Sequence, residues 1–126
     1  MRAVDTNILL RLLIRDDTEQ AEAADRFIEK GAWVSILAVA ETTWVLRTGY
    51  RKNAAEVASA IQMLLDHENL VLQDSETVEA ALKLFRSRPA LGFSDCLMLH
   101  LARKAGHLPL GTFDRALGRV EGVQKL

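Results

Sequence analysis

The stretch Arg2-Ala3-Val4-Asp5-Thr6-Asn7-Ile8-Leu9-Leu10-Arg11-Leu12-Leu13 decides the fold class. Its first three residues read as a short buried strand, and Asp5-Thr6 reads as a helix cap. Ile8, Leu9, Leu12 and Leu13 then recur at the spacing of one helical face turned to a core. The same order repeats along the chain. Ala32-Trp33-Val34 is the next strand, followed by Ser35 as cap of a helix that carries Glu41. Leu70-Val71-Leu72 precedes a helix from Asp74 to Arg88, and Leu108 to Leu110 precedes a short turn or helix over Phe113 to Gly118. Between these, Asp17-Thr18-Glu19-Gln20 opens a helix with a capping-box pattern that ends at Lys30-Gly31. Asn53-Ala54-Ala55-Glu56 caps a helix to about His67, and Ser94 caps one that stops at Gly106. Gly122-Val123-Gln124 is a candidate edge strand. Strands separated by helices imply right-handed βαβ units and a mostly parallel sheet covered on both faces, an α/β architecture.

At 126 residues the chain fits one domain, residues 1–126, with ordinary globular composition: 49% hydrophobic and 26% charged. No repeat, low-complexity tract or linker divides it. Sixteen Lys and Arg against seventeen Asp and Glu give a net charge of -1, so no whole-molecule field draws it onto nucleic acid. Any such binding must be local. Eleven of the sixteen cations are Arg, whose planar fork matches phosphate, although solvated helix faces account for most of them. The longest unbroken apolar run, Ile36 to Ala40, is far short of a membrane span, and the start has no uninterrupted stretch for a secretory signal, so the expected location is cytoplasmic. Cys96 is alone and reads as a small buried hydrophobe.

Four acids stand in apolar company: Asp5 after Ala3-Val4, Glu41 within Ile36 to Trp44, Asp95 in Phe93-Ser94-Asp95-Cys96-Leu97-Met98, and Asp114 after Leu110-Gly111-Thr112-Phe113. A carboxylate taken out of water needs a partner. If folding brings the four together, they raise one another's pKa and are relieved most simply by a divalent cation. Asp5 and Asp114 follow strands, where sites in parallel sheets gather, and Asp95 falls in the first turn of a helix. Glu41 has Leu37, Ala38, Trp44 and Val45 as helical neighbours and reads as lying on an inward stripe. Each acid also has a plain structural explanation. Asp5 can be an N-cap, Asp95 a first-turn dipole partner, Asp114 the acid of its own turn, and Glu41 a charge reaching solvent by its stem.

Other chemistries fit less well. Gly92-Phe93-Ser94-Asp95-Cys96 lacks the last glycine of a nucleophile elbow. Gly106 to Thr112 lacks the lysine of a phosphate loop, and Cys96 with His100 is half a zinc site at most. Arg47, Arg51 and Lys52 form a small basic cluster, best explained by the helix terminus before them, and Arg115 and Arg119 flank Asp114, where Arg115 is a candidate RNA contact. Trp33 and Trp44 are expected in the core rather than as stacking platforms.

Taken together, Val4-Asp5-Thr6-Asn7, Ala40-Glu41, Phe93-Ser94-Asp95-Cys96-Leu97 and Leu110-Gly111-Thr112-Phe113-Asp114 resemble the PIN domain, and within it the VapC toxins of bacterial VapBC toxin-antitoxin pairs. The resemblance covers essentially the whole chain. It implies a three-layer α/β/α fold and Mg²⁺- or Mn²⁺-dependent endoribonuclease activity on tRNA or ribosomal RNA. It also implies a homodimeric toxin inhibited by a VapB-like antitoxin. Position by position, Asp5, Glu41, Asp95 and Asp114 match the family's acidic quartet, with Asp5, Asp95 and Asp114 as metal ligands. Thr112 matches a hydroxyl before the last acid, and Asn7 a polar supporter of the first. The competing readings are a non-catalytic PIN-like module that binds RNA or protein, a housekeeping PIN nuclease, and a metal-dependent phosphatase. The last lacks its Asp-x-Asp motif, because Asn7 holds the second place.

Overall fold

The computed structural model describes residues 1–126, in which contacts divide the chain into two compact units, Met1–Ser75 and Glu76–Leu126. The first unit runs β1 (Arg2–Val4), α1 (Thr6–Leu13), α2 (Thr18–Ile28), β2 (Ala32–Val34), α3 (Ile36–Thr48), α4 (Ala54–Asp66) and β3 (Leu70–Leu72). Its strands pair in parallel in the order β1-β2-β3, with Arg2, Ala32 and Leu70 in one row and Val4, Val34 and Leu72 in another. Successive strand residues face opposite sides. Val4, Val34 and Leu72 are buried, whereas the intervening row of Ala3, Trp33 and Val71 is exposed. Trp33 therefore leaves the core by simple alternation, against expectation.

Side-chain caps set the helix starts. The Asp5 carboxylate accepts the Ile8 N–H at 3.0 Å, Asp17 that of Gln20 at 3.0 Å, and the Ser35 hydroxyl oxygen that of Ala38 at 3.0 Å. Asn53 and Glu56 make a full reciprocal capping box. Gly31, at φ 95°, takes the left-handed turn that stops α2 and leads into β2. The core face of α1 differs from the expected one: Leu9, Leu10 and Leu12 are buried, while Ile8 and Leu13 are only half-buried. An eight-residue helix completes little more than two turns, so several neighbouring residues can meet a core at once.

The second unit contains α5 (Ser75–Ser87, beginning at the boundary), α6 (Phe93–Ala105), β4 (Leu110–Thr112), a single 3₁₀ turn (Leu117–Arg119) and β5 (Val123–Lys125). β4 and β5 pair in parallel, so every strand pairing in the chain is parallel. Phe85 and Phe93 meet edge to face, with centroids 5.8 Å apart. Several boundaries differ from expectation, two of them by two residues at the start of the element. Gly92, not Ser94, is the N-cap of α6, and no side chain caps it, which puts Asp95 in the first turn. β4 starts at Leu110 rather than Leu108, because Pro109 has no N–H to give a ladder. No helix is long and apolar enough to cross a membrane.

Candidate functional site

In the first unit, Asp5 leaves the end of β1 and Glu41 projects from the middle of α3. The Thr6 hydroxyl, next in sequence to Asp5, reaches Glu41 Oε1 at 3.4 Å, so the β1–α1 junction lies beside α3. That is a long hydrogen bond, and it leaves most of the glutamate's accepting capacity free. Asp5 spends Oδ1 on the Ile8 N–H. Asn7 is exposed on the first turn of α1.

In the second unit, Asp95 and Asp114 are close enough to act on one another. The Asp95 carboxyl is held above its ordinary range, first by burial and then by the negative charge of Asp114. Asp114 closes a local turn: Oδ2 accepts the Leu117 N–H at 2.7 Å, and its own N–H donates to Thr112 Oγ1 at 3.0 Å. Thr112 thus fixes the backbone that presents Asp114. Arg115 is exposed directly after it.

The idea that these acids are withdrawn from water does not hold. Asp5, Glu41 and Asp114 are exposed, and Asp95 is half-buried. The apolar residues beside them in sequence are themselves at the surface: Leu37 is 66% exposed, Trp44 65% and Phe113 82%. Glu41 does not face inward. The buried stripe of α3 is Ala38, Val39, Thr42, Thr43 and Leu46, and Glu41 shares the opposite stripe with Leu37 and Trp44. Sequence reasoning missed those two as surface residues. The available signal was their own period: positions 37, 41, 44 and 48 fall on one side of a helix, and 38, 42 and 46 on another.

No cation neutralises any of the four. Arg11 pairs with Asp16, Arg15 with Asp25, and Lys52 with Glu56, and none of these carboxylates is one of the four. Within neither unit do three His, Cys, Asp or Glu side chains converge to hold an ion. What each unit offers is a pair of hard oxygen donors with accepting capacity left over, and in the second unit a pair whose repulsion a cation would relieve. That donor chemistry fits Mg²⁺ or Mn²⁺ and not a soft metal.

Cys96, next to Asp95, is fully buried. Burial, and then the Asp95 charge, push its thiol up to about 12. At pH 8 only about one molecule in ten thousand would carry the thiolate. A thiol-exchange reagent such as Ellman's is therefore expected to leave the native protein unmodified and to react after unfolding in guanidinium. Prompt reaction of the native state would contradict that burial. His100, one turn further on, is held below its usual pKa by burial and then by Arg103, so it is neutral near pH 7.

No curated protein matches the chain closely enough to add a relative. The model of the PIN domain, however, matches residues 2–123, so the stretch running from the strand before Asp5 to the strand after Asp114 is covered and the chain belongs to the PIN domain family.

Proposed function

We propose that this PIN domain is a Mg²⁺- or Mn²⁺-dependent endoribonuclease acting on tRNA or ribosomal RNA, the toxin of a toxin-antitoxin pair. PIN domains are generally nucleases that typically use divalent metals. The single observation that carries the catalytic reading is the lack of any cationic partner for Asp5, Glu41, Asp95 and Asp114, with Asp95 and Asp114 in mutual repulsion. In this reading Asp5, Asp95 and Asp114 would hold the ion. When bound, it lowers the pKa of water and neutralises charge developing on the phosphate. Glu41, exposed and only weakly engaged by Thr6, orients the attacking water and accepts its proton. Thr112 keeps Asp114 in its turn, and Asn7, exposed on the first turn of α1, takes the role of polar supporter of Asp5 from the family resemblance alone. Arg115 contacts a substrate phosphate beside Asp114.

The toxin role, a homodimer and a VapB-like antitoxin rest on the resemblance of the four acidic blocks. The test is to express the chain alone and with a small co-encoded partner, then map the ends of RNA fragments. Growth arrest with discrete cuts in tRNA or ribosomal RNA, lost on Asp5→Asn and suppressed by the partner, is the expected result. Cleavage without arrest would leave a housekeeping nuclease, and no RNA cleavage with Mg²⁺ or Mn²⁺ would leave a binding module.

A further inference from the structure

Helix α3 is apolar on two sides, and only one of them is used by the core. Its buried stripe ends at Leu46; the other stripe presents Leu37, Glu41, Trp44 and Thr48 to solvent. A tryptophan left 65% exposed in the middle of a well-capped helix contributes little to folding. It stands three residues beyond Glu41, about 4.5 Å along the helix axis and on the same side. The Thr48 hydroxyl closes onto the Trp44 carbonyl at 2.8 Å, which ties down the last turn behind the indole.

Cations follow on the same segment. Arg47 and Arg51 are exposed and belong to no ion pair. Arg51 adopts φ 55°, a left-handed conformation that glycine would take without strain, and it is fixed there by the Lys52 N–H to Leu46 carbonyl bond of 2.9 Å. The series along α3 and its exit is thus a carboxylate, an open aromatic face and two unpaired guanidinium groups. Unpaired bases stack on aromatic faces and guanidinium forks take phosphates, which is how single-stranded RNA is held.

We propose that Trp44 is a stacking platform for an unpaired nucleobase of the RNA substrate, with Arg47 and Arg51 on the neighbouring phosphates, so that the enzyme selects single-stranded loops over duplex. This rests on the nuclease reading of Glu41. It makes Trp44 a specificity residue, since a base on the indole leaves the adjoining phosphate beside the Glu41 carboxylate.

The test uses the full chain carrying Asp95→Asn to prevent cleavage and Trp33→Phe to leave one indole. Titration with a ten-nucleotide single-stranded RNA should quench Trp44 emission, and the same sequence as a duplex should not. Trp44→Ala should weaken binding of the single strand about tenfold, while Trp44→Tyr keeps it within about threefold. In the cleaving protein, Trp44→Ala should raise KM far more than it lowers kcat. Equal affinity of the Ala and Tyr variants, or no quenching, overturns the proposal. So does a drop in sedimenting mass for Trp44→Ala, which would make this face a contact between copies. If the unmutated chain cleaves no RNA, the nuclease reading fails, and the fluorescence titration still decides the stacking on its own.

Discussion

Asp95→Asn is expected to lower metal-dependent RNA cleavage by about a thousandfold or more, equivalent to about 4 kcal/mol of barrier. The substitution keeps the size and the hydrogen-bonding shape of the side chain in the first turn of α6, so the fold should survive it. It removes one anionic oxygen donor from the proposed ion and leaves Asp114 without its neighbour. Asp5→Asn should have an effect of similar size for a related reason. Asparagine caps a helix as well as aspartate does, so the bond to the Ile8 N–H is retained and only the charge is lost. Steady-state cleavage of a defined RNA, with circular dichroism as a folding control, measures both. Unchanged turnover in a folded Asp95→Asn protein would remove this residue from the mechanism.

The second large effect is on stability. Mg²⁺ or Mn²⁺ at a free concentration a hundredfold above its dissociation constant should stabilise the native state by about 2.7 kcal/mol, raising Tm by roughly 10 °C for a chain of this size. Asp95→Asn should abolish most of that rise. Without metal the sign reverses. Because Asp95 has its pKa raised by burial and by Asp114, the folded state binds a proton more readily than the unfolded chain does. Its contribution is therefore most favourable below the ordinary Asp range and is lost as pH rises through the raised folded value. At neutral pH the ionised group opposes folding. Metal-free Asp95→Asn should accordingly melt higher than the parent at pH 7, and the gap should close as the pH falls through the carboxylate range. Calorimetry with chelator and with added Mn²⁺ reads both halves. A metal-induced rise equal in parent and variant would show the ion bound elsewhere.

Much of the local structure was legible residue by residue. Ser35, Asp17 and the Asn53–Glu56 box announce helix starts because their side chains satisfy backbone donors within three residues, a purely local interaction. Gly106, at φ 82°, ends α6 for an equally local reason. The start of α6 was harder to read: Ser94 has the right chemistry for a cap, yet the N-cap lies two residues earlier at Gly92, where no side chain marks it. Pro109 shifted β4 by two residues, since a strand needs donors that proline lacks.

By itself the sequence determined the α/β alternation, the parallel strands and the family, because caps, periods and spacings are properties of neighbouring residues. Only tertiary structure decided which side of each element is wet. Helix α3 has an apolar residue on nearly every side, so its period permits either Leu37–Glu41–Trp44 or Ala38–Thr42–Leu46 to face the core. Packing chose the smaller, flatter stripe and left the tryptophan outside. Burial depends on what lies across from a residue, and that partner is distant in the chain.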